Sequence, residues 1–126
     1  MPKKILLTDD SEPFRRSVAV ILVEVGYEVA EAGTGNEALA QLKTLGLQFD
    51  LLITDLNMPD MDGLQLMTEA KRIDPDLPVI AMSGSFSGRL LRFATTFGVA
   101  TIEKPFKRGA FLDLVNSVIE THSKIF

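Results

Sequence analysis

Three carboxylates, a lysine and a serine stand directly after short apolar runs of this sequence. Asp9 and Asp10 follow the run KILLT, and Asp55 follows the run LLIT. Ser83 follows PVIAM, and Lys104 follows a less apolar run. Carboxylates about 4 Å apart repel by roughly 4 kcal/mol at an effective dielectric near 20, so a cluster of them either takes up protons or binds a cation.

These residue types fit the chemistry of phosphoryl transfer. Asp55 is a carboxylate nucleophile of the kind that forms acyl phosphates. Lys104 offers a compact positive charge, and Ser83 offers a hydroxyl donor, to the oxygens of a phosphoryl group. The sequence has no cysteine and one histidine, which excludes disulfides and thiolate zinc sites. Mg²⁺ is the natural cation here, because it takes one or two carboxylates and accepts phosphate oxygens.

Short apolar runs alternate with stretches of helical spacing along the whole chain. The runs predict strands over residues 4–8, 27–30, 51–54, 78–82 and 99–102. Apolar residues at helical spacing predict helices within residues 14–25, 38–45, 64–67, 90–94 and 111–119. Five such alternations predict an α/β fold, a doubly wound parallel sheet with helices on both faces. Since ligands of such sheets bind beyond the carboxyl ends of the strands, the five polar residues are expected to meet there.

Residues that start and stop helices lie at fitting places in this pattern. Pro13 suits a first helical turn, directly after the candidate caps Asp10 and Ser11. Glycines follow three of the predicted helices, at Gly26, Gly46 and Gly98. Taken alone, Asp10 could therefore be a helix cap and Asp9 a solvated loop residue. The acidic, hydroxyl and lysine residues at the other strand ends favour a site instead.

The composition fits one folded domain, which we expect to span residues 1–126. Apolar residues make up 46% of the chain, which is enough to build a core. The net charge of -4 and the lack of a basic stripe in the sequence argue against direct nucleic-acid binding. No apolar stretch has the length of a signal peptide or a membrane span, so a cytoplasmic location is expected.

Four motifs at the predicted strand ends resemble those of the receiver domains of two-component response regulators. The motifs are Asp9-Asp10, residues 54–63 (TDLNMPDMDG), Met82-Ser83-Gly84 and Lys104-Pro105-Phe106. They occur in the family's order and extend over nearly the whole chain. The resemblance implies a flavodoxin-like (βα)5 fold, with a five-stranded parallel sheet in the order 2-1-3-4-5.

By this resemblance, Asp55 accepts a phosphoryl group from a phosphohistidine on a sensor histidine kinase or a histidine phosphotransfer protein. Asp10 and Asp55 ligate Mg²⁺ (or Mn²⁺) directly. Asp9 acts through water, and the carbonyl of Asn57 supplies a further ligand. Such a domain is not a multiple-turnover enzyme, but it catalyses its own Mg-dependent phosphorylation and dephosphorylation.

The resemblance also assigns the phosphoryl contacts and the output. Lys104 and Ser83 contact the phosphoryl oxygens, and the Lys104–Pro105 peptide is cis. A downstream protein or an effector domain outside this sequence reads the fourth helix, fifth strand and fifth helix. Apart from the resemblance, Gly84 and Gly88 lower the helix propensity at the start of the fourth helix, so we expect residues 83–92 to reorganise on phosphorylation. One position departs from the family, because the usual aromatic residue three places before the lysine is Thr101 here. The route by which the signal reaches the output surface is therefore left open.

Three other functions are compatible with this architecture. A degenerate receiver would act only as a docking module, and Thr101 favours that alternative. A flavodoxin-like protein would bind a small molecule such as FMN, but Asp9 and Asp10 would repel its phosphate at the first strand end. An aspartyl-phosphate hydrolase usually carries a second Asp two residues after the nucleophile, and Asn57 occupies that place.

Overall fold

Five strands and five helices alternate in the computed structural model, which describes residues 2–45, 48–84 and 88–125. The strands are β1 (Lys4–Thr8), β2 (Glu28–Ala32), β3 (Leu51–Asp55), β4 (Val79–Ser83) and β5 (Ala100–Glu103). The helices are α1 (Glu12–Glu24), α2 (Gly35–Leu45), α3 (Gly63–Ile73), α4 (Gly88–Phe97) and α5 (Arg108–Ile125). The predicted alternation is confirmed. Each helix begins before the first apolar residue that indicated it, and Val25, predicted within the first helix, is instead its C-cap.

All strand pairs are parallel, and the sheet has the order β2-β1-β3-β4-β5. Every residue of β3 and of β4 is buried, as expected for strands covered on both faces. The predicted doubly wound α/β fold and its strand order are therefore confirmed. Parallel pairing brings the carboxyl ends of β1, β3, β4 and β5 to one edge of the sheet, where the polar residues of the sequence motifs lie.

Two hydrophobic cores cover the two faces of the sheet. Successive strand side chains point to opposite faces, so Leu6 and Leu52 enter one core while Ile5, Leu7 and Ile53 enter the other. Helices α2, α3 and α4 close the first core with Ala38, Leu39, Leu42, Leu66, Met67, Ala70 and Ala94. Helices α1 and α5 close the second core with Val18, Ala19, Leu22, Phe111, Val115 and Ile119. Both cores hold the strand ends in fixed positions.

The start of α1 resolves one alternative that the sequence left open. Ser11 is the N-cap of this helix, and its side chain accepts a hydrogen bond from the backbone N–H of Phe14 at 3.4 Å. Pro13 lies in the first turn, where its missing N–H is not needed. Asp10 is therefore not the helix cap. Its side chain is exposed and does not serve to start the helix.

Two of the predicted helix stops have the backbone conformation that favours glycine. Gly26 has a φ of 103° and Gly98 a φ of 65°, and both follow a helix directly or within two residues. The third predicted stop, Gly46, lies outside the described residues, as do residues 85–87 of the segment expected to reorganise. Within the described part of the chain, no helix is both long and apolar enough to cross a membrane.

Candidate functional site

Three carboxylates meet at the carboxyl edge of the sheet. Asp9 follows β1, Asp55 is the last residue of β3, and one carboxylate oxygen from each of these and from Asp10 lies within 4.8 Å of the others. Asp9 is 1% exposed and Asp55 is 6% exposed, whereas Asp10 is exposed to solvent. We call these three residues the acidic cluster. Its members come from two separate segments, and their approach is the one that the sequence predicts.

The loop after β1 is built so that Asp9 continues the strand. Its backbone N–H donates to the carbonyl of Ala32 at 3.2 Å, which extends the pairing with β2 by one residue. Its side-chain Oδ1 accepts from the backbone N–H of Ser11 at 2.9 Å. This hydrogen bond lies in the turn that leads from β1 to α1. The turn therefore fixes the carboxylate of Asp9, and it also carries Asp10.

A network that the sequence does not indicate holds this loop from the other side. Arg15, on the first turns of α1, donates from Nη1 to the carbonyl oxygen of Asp9 at 2.9 Å. Its Nε lies 3.0 Å from Oε1 of Glu31 on β2. Arg15 thus ties the acidic loop to the edge strand. An arginine at this spacing is ordinary on a helix, and only the folded arrangement identifies its partners.

Lys104 brings a positive charge to the acidic cluster. Its Nζ lies 2.8 Å from Oδ2 of Asp9 and 3.4 Å from Oδ2 of Asp55. Its backbone N–H donates to the carbonyl of Ser83 at 2.8 Å, so the end of β5 is fixed against the end of β4. The peptide bond to Pro105 is cis, as the motif implied.

The carboxylate of Asp55 experiences opposing influences. Burial raises its pKa above the ordinary value for aspartate, and the negative charge of Asp9 acts in the same direction. The backbone N–H of Asn57, which donates to Oδ1 at 3.2 Å, and the ammonium of Lys104 act in the opposite direction. Burial outweighs them, so this carboxylate favours a proton or a cation beside it more than an exposed aspartate does.

Ser83 and Asn57 lie beside each other at the same edge. Ser83 ends β4 and is fully buried. Its Oγ accepts a hydrogen bond from Nδ2 of the exposed residue Asn57 at 3.2 Å. The structure thus brings the hydroxyl predicted for phosphoryl binding into contact with the residue two places after Asp55. The predicted site residues 9, 10, 55, 57, 83 and 104 all lie at the ends of β1, β3, β4 and β5.

The loop between β3 and α3 is folded closely on itself. Asn57 and Asp62 form an antiparallel bridge, and the backbone N–H of Gly63 donates to the carbonyl of Leu56 at 3.0 Å. Asp60 reaches out of this loop to α2, where its carboxylate accepts the backbone N–H groups of residues 35 and 36 at 3.1 and 3.0 Å. Contacts on both sides therefore fix the backbone that follows Asp55.

The donor set of the acidic cluster fits a hard divalent cation. Mg²⁺ and Mn²⁺ prefer carboxylate, carbonyl and water oxygens, and two or three carboxylates suffice when waters complete the shell. The oxygens of Asp9, Asp10 and Asp55 are close enough to share one ion. Burial of the Asp55 carboxylate, which raises its pKa, also favours cation binding, because a nearby cation stabilises a buried negative charge. The cluster could therefore hold a metal.

A doubly wound (βα)5 sheet with acidic, hydroxyl and lysine side chains at its carboxyl edge has the architecture of a receiver domain. The sequence model of the response regulator receiver domain matches residues 5–116. The chain belongs to this family, whose members act in two-component phosphorelay signalling.

Individual relatives agree in sequence and in fold. The chain is 32% identical to the chemotaxis protein CheY of Thermotoga maritima over 120 residues, which cover 94% of this chain and 98% of CheY. It is 36% identical over 113 residues to a response regulator receiver protein of Anaeromyxobacter, which cover 89% of this chain but 47% of the relative. A CheY-like receiver domain of Methanospirillum hungatei superimposes with a TM-score of 0.94 at 30% identity, with both chains fully covered. The chain thus spans nearly all of one relative and about half of another.

Proposed function

We propose that Asp55 accepts a phosphoryl group from a phosphohistidine of a sensor histidine kinase or a histidine phosphotransfer protein, with Mg²⁺ (or Mn²⁺) as the required cation. The observation that carries this proposal is the placement of three carboxylates and one ammonium group at a single sheet edge. Phosphoryl transfer needs a nucleophile, here a carboxylate. It also needs positive or hydrogen-bonding groups, here an ammonium and a hydroxyl, that stabilise the charge on the phosphoryl oxygens.

The metal would be held by oxygen ligands from both sides of the cluster. Asp10 and Asp55 would bind it directly, Asp9 would act through water, and the backbone carbonyl of Asn57 would add a ligand. Asp9 is less suited to direct ligation than Asp55, because its oxygens accept shorter hydrogen bonds. These come from the backbone N–H of Ser11 at 2.9 Å and from Lys104 at 2.8 Å, against 3.2 and 3.4 Å for the contacts of the Asp55 oxygens. When bound, the ion supplies charge neutralisation for the phosphoryl oxygens.

The reaction itself is a displacement at phosphorus. A carboxylate oxygen of Asp55 forms the new P–O bond while the P–N bond of the phosphohistidine breaks, and the imidazole leaves with the electron pair of that bond. The ammonium of Lys104, which already faces Asp55 at 3.4 Å, moves onto a phosphoryl oxygen. The hydroxyl of Ser83 donates to a second phosphoryl oxygen. Each of these donors stabilises charge that spreads over the phosphoryl oxygens as the bond to nitrogen breaks.

Phosphorylation would act on a partner through the face formed by α4, β5 and α5. The partner would be a downstream protein or an effector domain outside this sequence. The proposed location is the cytoplasm. Thr101 is half-buried in β5, where its Cα pairs with that of Ala81. A threonine cannot carry the aromatic movement usual in the family, so the coupling between site and face must use other side chains.

Intact-mass measurement tests the acceptor. The chain is incubated with acetyl phosphate and Mg²⁺, and a single phosphoryl adduct is expected. The adduct should be absent in Asp55→Ala and absent after chelation of the metal, while Asp60→Ala, a matched change of an acidic residue in the same loop, should keep it. An adduct that persists in Asp55→Ala refutes the assignment. A wild-type chain that takes up no phosphoryl group would instead support the docking-module alternative.

A further inference from the structure

Three aromatic rings form a continuous row that ends against the ammonium of Lys104. Phe111 and Phe106 are stacked with centroids 4.8 Å apart and an interplanar angle of 15°. Phe106 meets Phe14 edge to face at 5.8 Å and 70°. The Nζ of Lys104 lies 4.3 Å from the centroid of the Phe14 ring. The row therefore runs from the second core to the charged group of the candidate site.

The ring of Phe14 is held in place from both sides. Its backbone lies in the first turn of α1, which the Ser11 cap fixes directly beside the acidic cluster. Its ring packs against Phe106, which in turn stacks on the fully buried Phe111 of α5. A ring positioned by a helix cap and by the core has little freedom to follow a mobile side chain. It can therefore act as a fixed wall for the lysine.

The ammonium of Lys104 has three electrostatic partners. Oδ2 of Asp9 is 2.8 Å away, Oδ2 of Asp55 is 3.4 Å away, and the face of the Phe14 ring is 4.3 Å away. The face of an aromatic ring carries partial negative charge and attracts a cation, more strongly where water is excluded. The lysine side chain is only 22% exposed, so this attraction is only partly weakened by solvent.

We propose that Phe14 is a positioning residue for phosphoryl transfer, which holds the ammonium of Lys104 at the acidic cluster. The inference rests on the proposed function, because it concerns the cation of that same site. A lysine has four rotatable bonds, and ordering its ammonium group at the moment of reaction is entropically costly. When Lys104 leaves Asp9 for a phosphoryl oxygen, the ring remains as the partner that does not change. The lysine is thereby confined to the region in which the phosphoryl group arrives.

Two substitutions of Phe14 separate the ring from its volume. Phe14→Leu keeps an apolar side chain but removes the aromatic face, whereas Phe14→Tyr keeps the face. Ile119→Ala is the matched control, since it removes volume from the same core at a buried residue of α5 outside the row of rings. The rate of phosphorylation at saturating acetyl phosphate and Mg²⁺ is measured for each, together with the donor concentration at half-saturation and the free energy of unfolding.

Phe14→Leu is expected to lower the saturating rate about fivefold, within the range that the loss of one cation–π contact allows. Phe14→Tyr should restore the wild-type rate. Ile119→Ala should lower stability and leave the saturating rate within about twofold of the wild type, because the row of rings and its contact with the lysine are kept. A merely structural role of Phe14 would make Phe14→Leu and Ile119→Ala alike. Equal rates for the wild type and Phe14→Leu, or equal losses of rate in Phe14→Leu and Ile119→Ala, would overturn the proposal.

Nuclear magnetic resonance of the lysine side chain supplies a readout that does not depend on turnover. The ring current of Phe14 should shift the Hε resonances of Lys104 upfield in the wild type and in Phe14→Tyr, and the shift should vanish in Phe14→Leu. Unchanged resonances in Phe14→Leu would contradict the contact. If the wild type takes up no phosphoryl group at all, the proposed function fails; if it does and Phe14→Leu reacts equally fast, only the role of Phe14 fails.

Discussion

At the scale of single residues, the buried carboxylate of Asp55 lowers the stability of the fold that carries it when it is ionised. Its raised pKa means that the folded state binds the proton more tightly than the unfolded chain does. The resulting stabilisation is fully present at acidic pH, below the ordinary pKa of aspartate. It is lost as the pH rises through the raised pKa of the folded state. At neutral pH and without metal, the ionised carboxylate is therefore a net cost to stability.

Asp55→Asn should raise the free energy of unfolding at neutral pH in metal-free buffer, because it removes this buried charge and keeps the shape of the side chain. The advantage over the wild type should shrink as the pH falls below the ordinary pKa of aspartate, where the wild-type carboxyl is protonated. Urea denaturation across this pH range measures both effects. A variant that is less stable than the wild type at neutral pH without metal would contradict the expectation.

Asp60→Asn is the control, because this substitution is expected to change stability at neutral pH in the opposite direction. The backbone N–H of Asn36 holds the pKa of the Asp60 carboxyl below its ordinary value, and that of Gly35 adds to the effect. The stabilisation by this group is therefore present at neutral pH and is lost as the pH falls through the lowered pKa. Removing the charge should destabilise the domain by up to about 1 kcal/mol at neutral pH, as for other acidic groups at helix starts.

At the scale of elements, the turn between β3 and α3 has no room for a side chain at Gly63. A Cβ added to Gly63 would lie 2.6 Å from Cα of Leu56, a backbone atom that cannot move aside without shifting the turn. The same turn carries Asn57, whose backbone N–H contacts Asp55. The packing requirement of one residue is therefore coupled to the geometry of the candidate site.

Gly63→Ala should lower the free energy of unfolding by about 1–3 kcal/mol, the usual cost of forcing extra atoms into a packed region. Gly109→Ala is the matched control on α5, because a Cβ at Gly109 would meet nothing within 4 Å. That change should leave stability unchanged or raise it by up to about 1 kcal/mol, since alanine favours helices over glycine. Urea denaturation of both variants decides, and equal stabilities would contradict the packing argument.

Sequence patterns predict elements better than they predict contacts between elements. The strands were visible because β3 and β4 are buried on both faces and read as continuous apolar runs. The acidic cluster was visible because parallel strands bring their carboxyl ends together. The contact of Lys104 with the ring of Phe14 joins residues far apart in sequence, and neither residue type announces it. Such pairs depend on side-chain directions that only the folded chain fixes.

The same limit applies to the supports around the site. Arg15 donates to the carbonyl of Asp9, and Asp60 accepts from the start of α2. Arginine and aspartate are common on helix surfaces and in turns, so their types carry no signal of these partners. Ser11 could be predicted as a cap because capping acts within one turn of the chain. Local rules are thus readable from sequence, and long-range polar contacts are not.

At the scale of the whole molecule, the candidate site links segments that are distant in sequence. Asp9 and Lys104 are separated by 95 positions and meet at 2.8 Å. The two cores hold these segments together, since β1 and β3 contribute side chains to both. The unfolded chain does not present the same carboxylates together. A cation that binds the acidic cluster therefore binds the folded state in preference, and its binding adds to the stability of the whole domain.

Mg²⁺ should raise the free energy of unfolding by about 2.7 kcal/mol when its concentration is one hundred times its dissociation constant. Asp10→Asn should lose most of this gain, because the exposed carboxylate of Asp10 completes the cluster. Asp55→Asn should be more stable than the wild type without Mg²⁺ and less stable with it, and this reversal separates metal binding from a general effect of charge. Urea denaturation with Mg²⁺, and with a sodium salt of equal ionic strength to account for screening, measures each case. An equal gain in the wild type and in both variants would show that the cation binds elsewhere.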